Sequence, residues 1–158
     1  MMLRKAGRGT VAELHDVEAW LGALLSQLEP AMRTKMLRDV ARDVRRIQQG
    51  NITLQRGPDG TAWEPRRVTA RTKPGRIRRK MFAKLKTAKY LKAQANSIMA
   101  EITFTPNVQR LVRVHHYGLR DRVNRRGTEV KFAERPLLGI SSEVENLIQE
   151  TLLRWLEG

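Results

Sequence analysis

Between Pro65 and Lys92 the chain carries twelve Lys or Arg residues and no acid. A stretch of that composition cannot build a core of its own, because it holds too little apolar surface to offset its ordering and repels itself. Most of the formal net charge of +15 therefore has to face water, nucleic acid or an acidic partner. The first half is broken by Pro65, Pro74 and Gly75. Within it Arg66, Arg67, Arg71, Lys73, Arg76, Arg78, Arg79 and Lys80 follow neither a helical nor a strand period. The sequence predicts an extended basic arm or loop at about residues 57–80, ordered when something negative meets it.

At 158 residues, with aromatics at 5% and charged residues at 30%, the chain fits a single domain spanning 1–158 with a modest core. Cysteine is absent, which excludes disulfides and thiolate metal sites and fits synthesis inside a cell. Arg4, Lys5 and Arg8 are followed by Glu13, Asp16 and Glu18, so neither a signal peptide nor a membrane span is expected.

Thr10 and Glu13 have capping-box spacing, and Leu14, Val17, Leu21, Leu24, Leu25 and Leu28 recur every three or four residues. A helix is predicted there, ending near Glu29 because Pro30 disfavours helical geometry in the residue before it. Pro30 then opens a second helix to about Gly50, with Met32, Met36, Leu37, Val40, Ala41, Val44 and Ile47 as its stripe. The two are expected to pack as a hairpin. Residues 57–60, Gly-Pro-Asp-Gly, carry turn chemistry at every position. Met81, Phe82, Leu85 and Leu91 fit either a helix or an apolar cluster that anchors the chain.

Ile98, Ala100, Ile102 and Phe104 alternate with Met99, Glu101, Thr103 and Thr105, the period of a half-buried strand. Leu111, Arg113 and His115 alternate against Val112, Val114 and His116, which reads as the second strand of a hairpin. A third strand is predicted at 129–132, after the polar loop 121–127. Ser142 and Glu145 form another capping box, opening a final helix with Val144, Leu147, Ile148, Leu152, Trp155 and Leu156 on its apolar face. The expected class is α+β: a helical hairpin and a C-terminal helix packed on a small antiparallel sheet, with an extended basic arm.

No catalytic constellation emerges. Adjacent His115 and His116 would point to opposite faces of a strand, His15 lies far off, and no carboxylate and histidine set has metal-ligand spacing. There is no nucleophile elbow and no phosphate-cradling loop in a strand-to-helix context. The expectation is a non-enzyme without cofactor or metal. Helix-turn-helix, zinc-finger and aromatic stacking patterns are also missing, so any nucleic acid would be held through its phosphates.

Several fragments, in order, carry a resemblance: Trp20-Leu21 in its helix, 58–66 (PDGTAWEPR), 81–87 (MFAKLKT), 113–119 (RVHHYGL) and 135–141 (RPLLGIS). The chain resembles the virion morphogenesis or tail completion family of contractile-tailed bacteriophages from about Leu14 onward. That resemblance implies a structural virion protein, made in the host cytoplasm, that completes the tail at its head-proximal end and helps join it to the head. It implies a homo-oligomeric ring meeting the tail tube or tail terminator and neck proteins, with DNA in the lumen as a further contact and no membrane partner. In the division of duties inferred here, Pro58, Asp59, Gly60 and Trp63 fix where the arm leaves the domain, and Met81, Phe82 and Leu85 re-anchor it. A nucleic-acid-binding module using the same arm on phosphates is the alternative. A hydrolase built on His115 or His116 is a distant third.

Overall fold

The computed structural model describes residues 19, 22, 23, 25–67 and 80–157. Most of the predicted helix at 10–29 lies outside them. So do Arg71, Lys73, Arg76, Arg78 and Arg79 of the predicted arm.

Helix α1 runs Pro30–Leu54, with proline in its first turn, as the sequence predicts. Met36, Val40, Ala41 and Val44 are buried along its first half, and the buried stripe continues as Gln48, Asn51 and Ile52. The helix passes the predicted stop at Gly50 because burial of Asn51 and Ile52 outweighs one glycine's propensity. It stops at Gln55, left-handed at φ 58°. There the Gln55 and Arg56 N–H groups close onto the Ile52 and Asn51 carbonyls.

Strands β1 (Leu91–Ala95) and β2 (Ala100–Phe104) form an antiparallel hairpin, Leu91 opposite Phe104 and Ala95 opposite Ala100. Ile98 is not in the strand. It sits 82% exposed in the hairpin turn, where Asn96 Oδ1 accepts the Ile98 and Met99 N–H groups, each at 2.9 Å.

The second predicted strand is a helix. Helix α2 spans Pro106–Tyr117, opened by extended Thr105 and proline and closed by Gly118 at φ 63°. Val108, Val112 and His115 lie at helical spacing and turn inward, so the alternation of 111–116 coincides with a 3.6-residue period whose caps decide the outcome. The strand predicted at 129–132 is found as β4 (Glu129–Lys131), but it pairs antiparallel with β3 (Arg120–Arg122), not with β2. The single predicted sheet is thus two hairpins.

Helix α3 (Ser142–Glu157) is found where expected. Its cap is Ser141 rather than Ser142: the Ser141 hydroxyl accepts the Val144 N–H at 3.3 Å. Val144 packs on Val40 and Val44 of α1, with Ile47, Leu147 and Ile148 around them. The other end of α1 meets a second cluster of Ile52, Trp63, Leu85, Leu91, Phe104 and Leu137. The described fold is α+β: three helices and two small antiparallel sheets, with α1 bridging both apolar clusters.

Candidate assembly surface at the base of the basic arm

The route out of α1 is a closed loop. Gly57 N–H bonds Thr61 O at 2.8 Å, Gly60 takes φ 84°, and Trp63 N–H returns to Gln55 O at 2.9 Å. The Asp59 carboxylate accepts both the Thr61 N–H and the Thr61 hydroxyl at 2.9 Å. Those bonds, the backbone one first, hold its pKa below the usual carboxylate value.

Trp63, buried, donates its indole N–H to Pro136 O at 3.0 Å. Pro58 lies against Gly139 so closely that a β-carbon there would stand 2.8 Å from Pro58 Cγ. Two fragments more than seventy residues apart, 58–63 and 135–139, are therefore two sides of one contact.

Arg135 finishes that contact. Only 4% exposed, its guanidinium donates through Nε to Glu64 O at 2.7 Å and through Nη2 to Pro65 O at 3.1 Å. Burial pushes its pKa below the usual arginine value, Glu64 opposes that shift, and Arg67 and Arg66 add to it. The fork geometry of arginine suits two successive carbonyls. The departing root of the basic segment is thus tied down at 64–65, directly before Arg66 and Arg67, both of which are exposed.

The returning root is tied by one side-chain amide. Gln55 Oε1 accepts the Met81 N–H at 2.7 Å and Gln55 Nε2 donates to Met81 O at 2.9 Å. Exposed Lys80 adds a bond from Nζ to Thr53 O at 2.9 Å. Residues 81–90 make successive turns, and Met81, Leu85 and Leu91 are buried, so this stretch is an apolar cluster rather than a helix.

Phe82, at φ 58°, places its ring edge-to-face between Trp63 (centroids 5.5 Å apart) and His115 (4.9 Å), and His115 meets Phe132 in turn at 4.9 Å. Both histidines have packing roles. His115 is 8% exposed, and its pKa is lowered by burial, then by Arg135 and Arg66. His116 accepts the Leu137 N–H on Nδ1 at 3.2 Å, and burial lowers its pKa against the pull of Glu134. No group of three His, Asp or Glu among the described residues is placed to hold a metal ion. No helix among them is long and apolar enough to cross a membrane.

Pro58, Asp59, Gly60, Trp63, Met81, Phe82 and Leu85 lie at the two ends of the basic segment, and sequence reasoning missed the residues bonded to those ends, Arg135 and Gln55. Arg135 was visible only as part of the 135–141 fragment. Gln55 carried no signal, since its role comes from the left-handed turn that aims it.

The phage virion morphogenesis family model matches residues 12–157 of the chain. The chain belongs to that family. Tail completion protein S of Escherichia phage P2 is 34% identical over 147 residues, covering 92% of this chain and 98% of the P2 protein. No solved structure matches. The family match takes in both roots of the arm and the Arg135 clamp, so the surface built here belongs to the part of the chain that carries the family likeness.

Proposed function

We propose that this family member is a structural, non-enzymatic virion protein that completes the tail at its head-proximal end and helps join tail to head. It works as a homo-oligomeric ring, with the basic arm reaching a neighbouring copy or a tail or neck partner. The single observation that carries the reading is the near end-to-end likeness to a tail completion protein, 92% of one chain against 98% of the other. The geometry adds a reason. The two ends of a segment whose composition denies it a core are each bonded to the fold, by the buried Arg135 at 64–65 and by the half-buried Gln55 at Met81. A heterologous contact between identical subunits closes into a ring with the fewest distinct surfaces.

Replacing Arg76, Arg78 and Arg79 by Glu in the phage that encodes this chain tests the arm, and leaves the Lys80 bond to Thr53 O intact. Electron microscopy of lysates is expected to show filled heads and separate tails, while the purified variant melts normally. A normal yield of infectious particles removes the arm from the mechanism. Native mass spectrometry tests the ring, which does not survive if only monomer is seen at every concentration.

A further inference from the structure

The β3–β4 hairpin carries a second basic surface, outside the arm. Residues on one face of a strand alternate, so Arg120 and Arg122 of β3 share a face with Glu129 and Lys131 of β4, and all four are exposed. In the register Arg120 stands directly opposite Lys131. Like charges in that position destabilise an antiparallel pair. The acid on this face, Glu129, stands opposite Arg122 rather than Arg120, and Asp121 is turned to the other face, where it takes a bidentate ion pair from Arg110 of α2. The tip adds exposed Arg125 and Arg126 around Asn124 and Gly127.

This surface joins the arm's root. A cleft of about 340 Å³ is lined by Arg67 and Lys131 together with Tyr117, Phe132, Ala133 and Glu134. The cations therefore run from Arg67 through Lys131 and Arg120 to Arg122 and the hairpin tip.

We propose that this face binds the sugar-phosphate backbone of duplex DNA, without reading its sequence. Two features favour a phosphate backbone over an acidic protein. Arg120 and Arg122 stand about 6.7 Å apart along the strand, close to the through-space separation of adjacent phosphates on one DNA strand, which wind around the axis as they advance about 3.4 Å per step. The four outward strand positions are Arg, Arg, Glu and Lys, and the exposed Tyr117 and Val123 lie at their margins, whereas the core of a protein interface is depleted in charge and centred on aromatic or aliphatic side chains. Guanidinium forks suit phosphate oxygens. A like-charge pair directly opposed across a hairpin is the structural cost of keeping that charge available. The inference stands whether or not the chain forms a ring.

The test uses the whole chain and a short fluorescent duplex of mixed sequence, with affinity followed by anisotropy from about 50 to 200 mM salt. Neutralising Arg120, Arg122 and Lys131 together to Gln removes three phosphate contacts, so the slope of log K against log salt is expected to fall by about 2.7. A second variant guards against simple unfolding. Lys131→Glu sets a carboxylate opposite Arg120 and relieves the repulsion, so it is expected to melt at or above the parent temperature while binding DNA more weakly. Three outcomes overturn the proposal: no binding of the parent protein at the lowest salt, an unchanged slope in the triple variant, or displacement of DNA by polyglutamate at equal charge. The last marks an acidic protein as the partner.

Discussion

The guanidinium of Arg135 and the carbonyl of Glu64 meet at 2.7 Å, seventy-one residues apart in sequence, and this bond fixes where the basic segment leaves the fold. The same side chain takes Pro65 O, so two successive backbone acceptors depend on one residue. Arg135→Ala removes both bonds and the packing of a 4% exposed side chain, and each charge-assisted bond contributes about 1.5–3 kcal/mol. The subunit is expected to melt earlier, and trypsin to cut at Arg66 or Arg67 sooner than in the parent. Arg135→Lys recovers only part of the loss, since an ammonium lacks the fork. Unchanged melting in Arg135→Ala removes the clamp from the account.

Two glycines make opposite predictions. Gly118 closes α2 at φ 63°, and a β-carbon there would stand 2.9 Å from Glu134 N, so Gly118→Ala is expected to destabilise by more than about 1 kcal/mol. Gly50 lies inside α1 with nothing within 4 Å of its missing β-carbon, so Gly50→Ala is expected to stabilise by about 0.5–1 kcal/mol. Denaturant midpoints of the two variants, moving in opposite directions, check both.

His115 and His116 predict a limb of acid sensitivity. Burial lowers both pKa values below the ordinary 6.5, so the unfolded chain takes up protons first as the pH falls. Stability is then complete above about pH 6.5 and declines below it, down to the folded-state values. Melting temperatures measured from neutral pH to about pH 5 should fall, before most carboxylates titrate. His115→Phe, which keeps a ring between Phe82 and Phe132, should flatten that fall. A profile that is already flat in the parent protein contradicts the neutral, packed state of these rings.

Along the helices, burial ranks the core. Met36 is fully buried on α1, and Met36→Ala is expected to cost about 2–5 kcal/mol. Trp155 on α3 is only partly buried, so Trp155→Ala is expected to cost less than the about 3–5 kcal/mol of a fully enclosed tryptophan. Thermal melts of the two variants decide the order. A larger loss at Trp155 places that ring in a packed site.

Sequence alone determined the features that depend on local chemistry. The α1 stripe, the Pro30 start, the 57–60 turn and the α3 stripe follow from side-chain period and backbone preference, and each was found. Absence of cysteine and the density of Arg and Lys were compositional facts from the start. Local chemistry misled where two periods overlapped. Residues 111–116 alternate as a strand does, yet Pro106 and Gly118 cap them as a helix, and the inward face of Val108, Val112 and His115 then packs on the core. Only the tertiary structure decided which distant groups complete one another. Arg135 and Glu64, Gln55 and Met81, Trp63 and Pro136 are part-buried pairings across long stretches of chain, and a sequence does not record which remote carbonyl or amide closes such a bond. The Arg120 and Lys131 pair has the same origin, because its charge conflict exists only once the strand register brings the two side chains opposite each other.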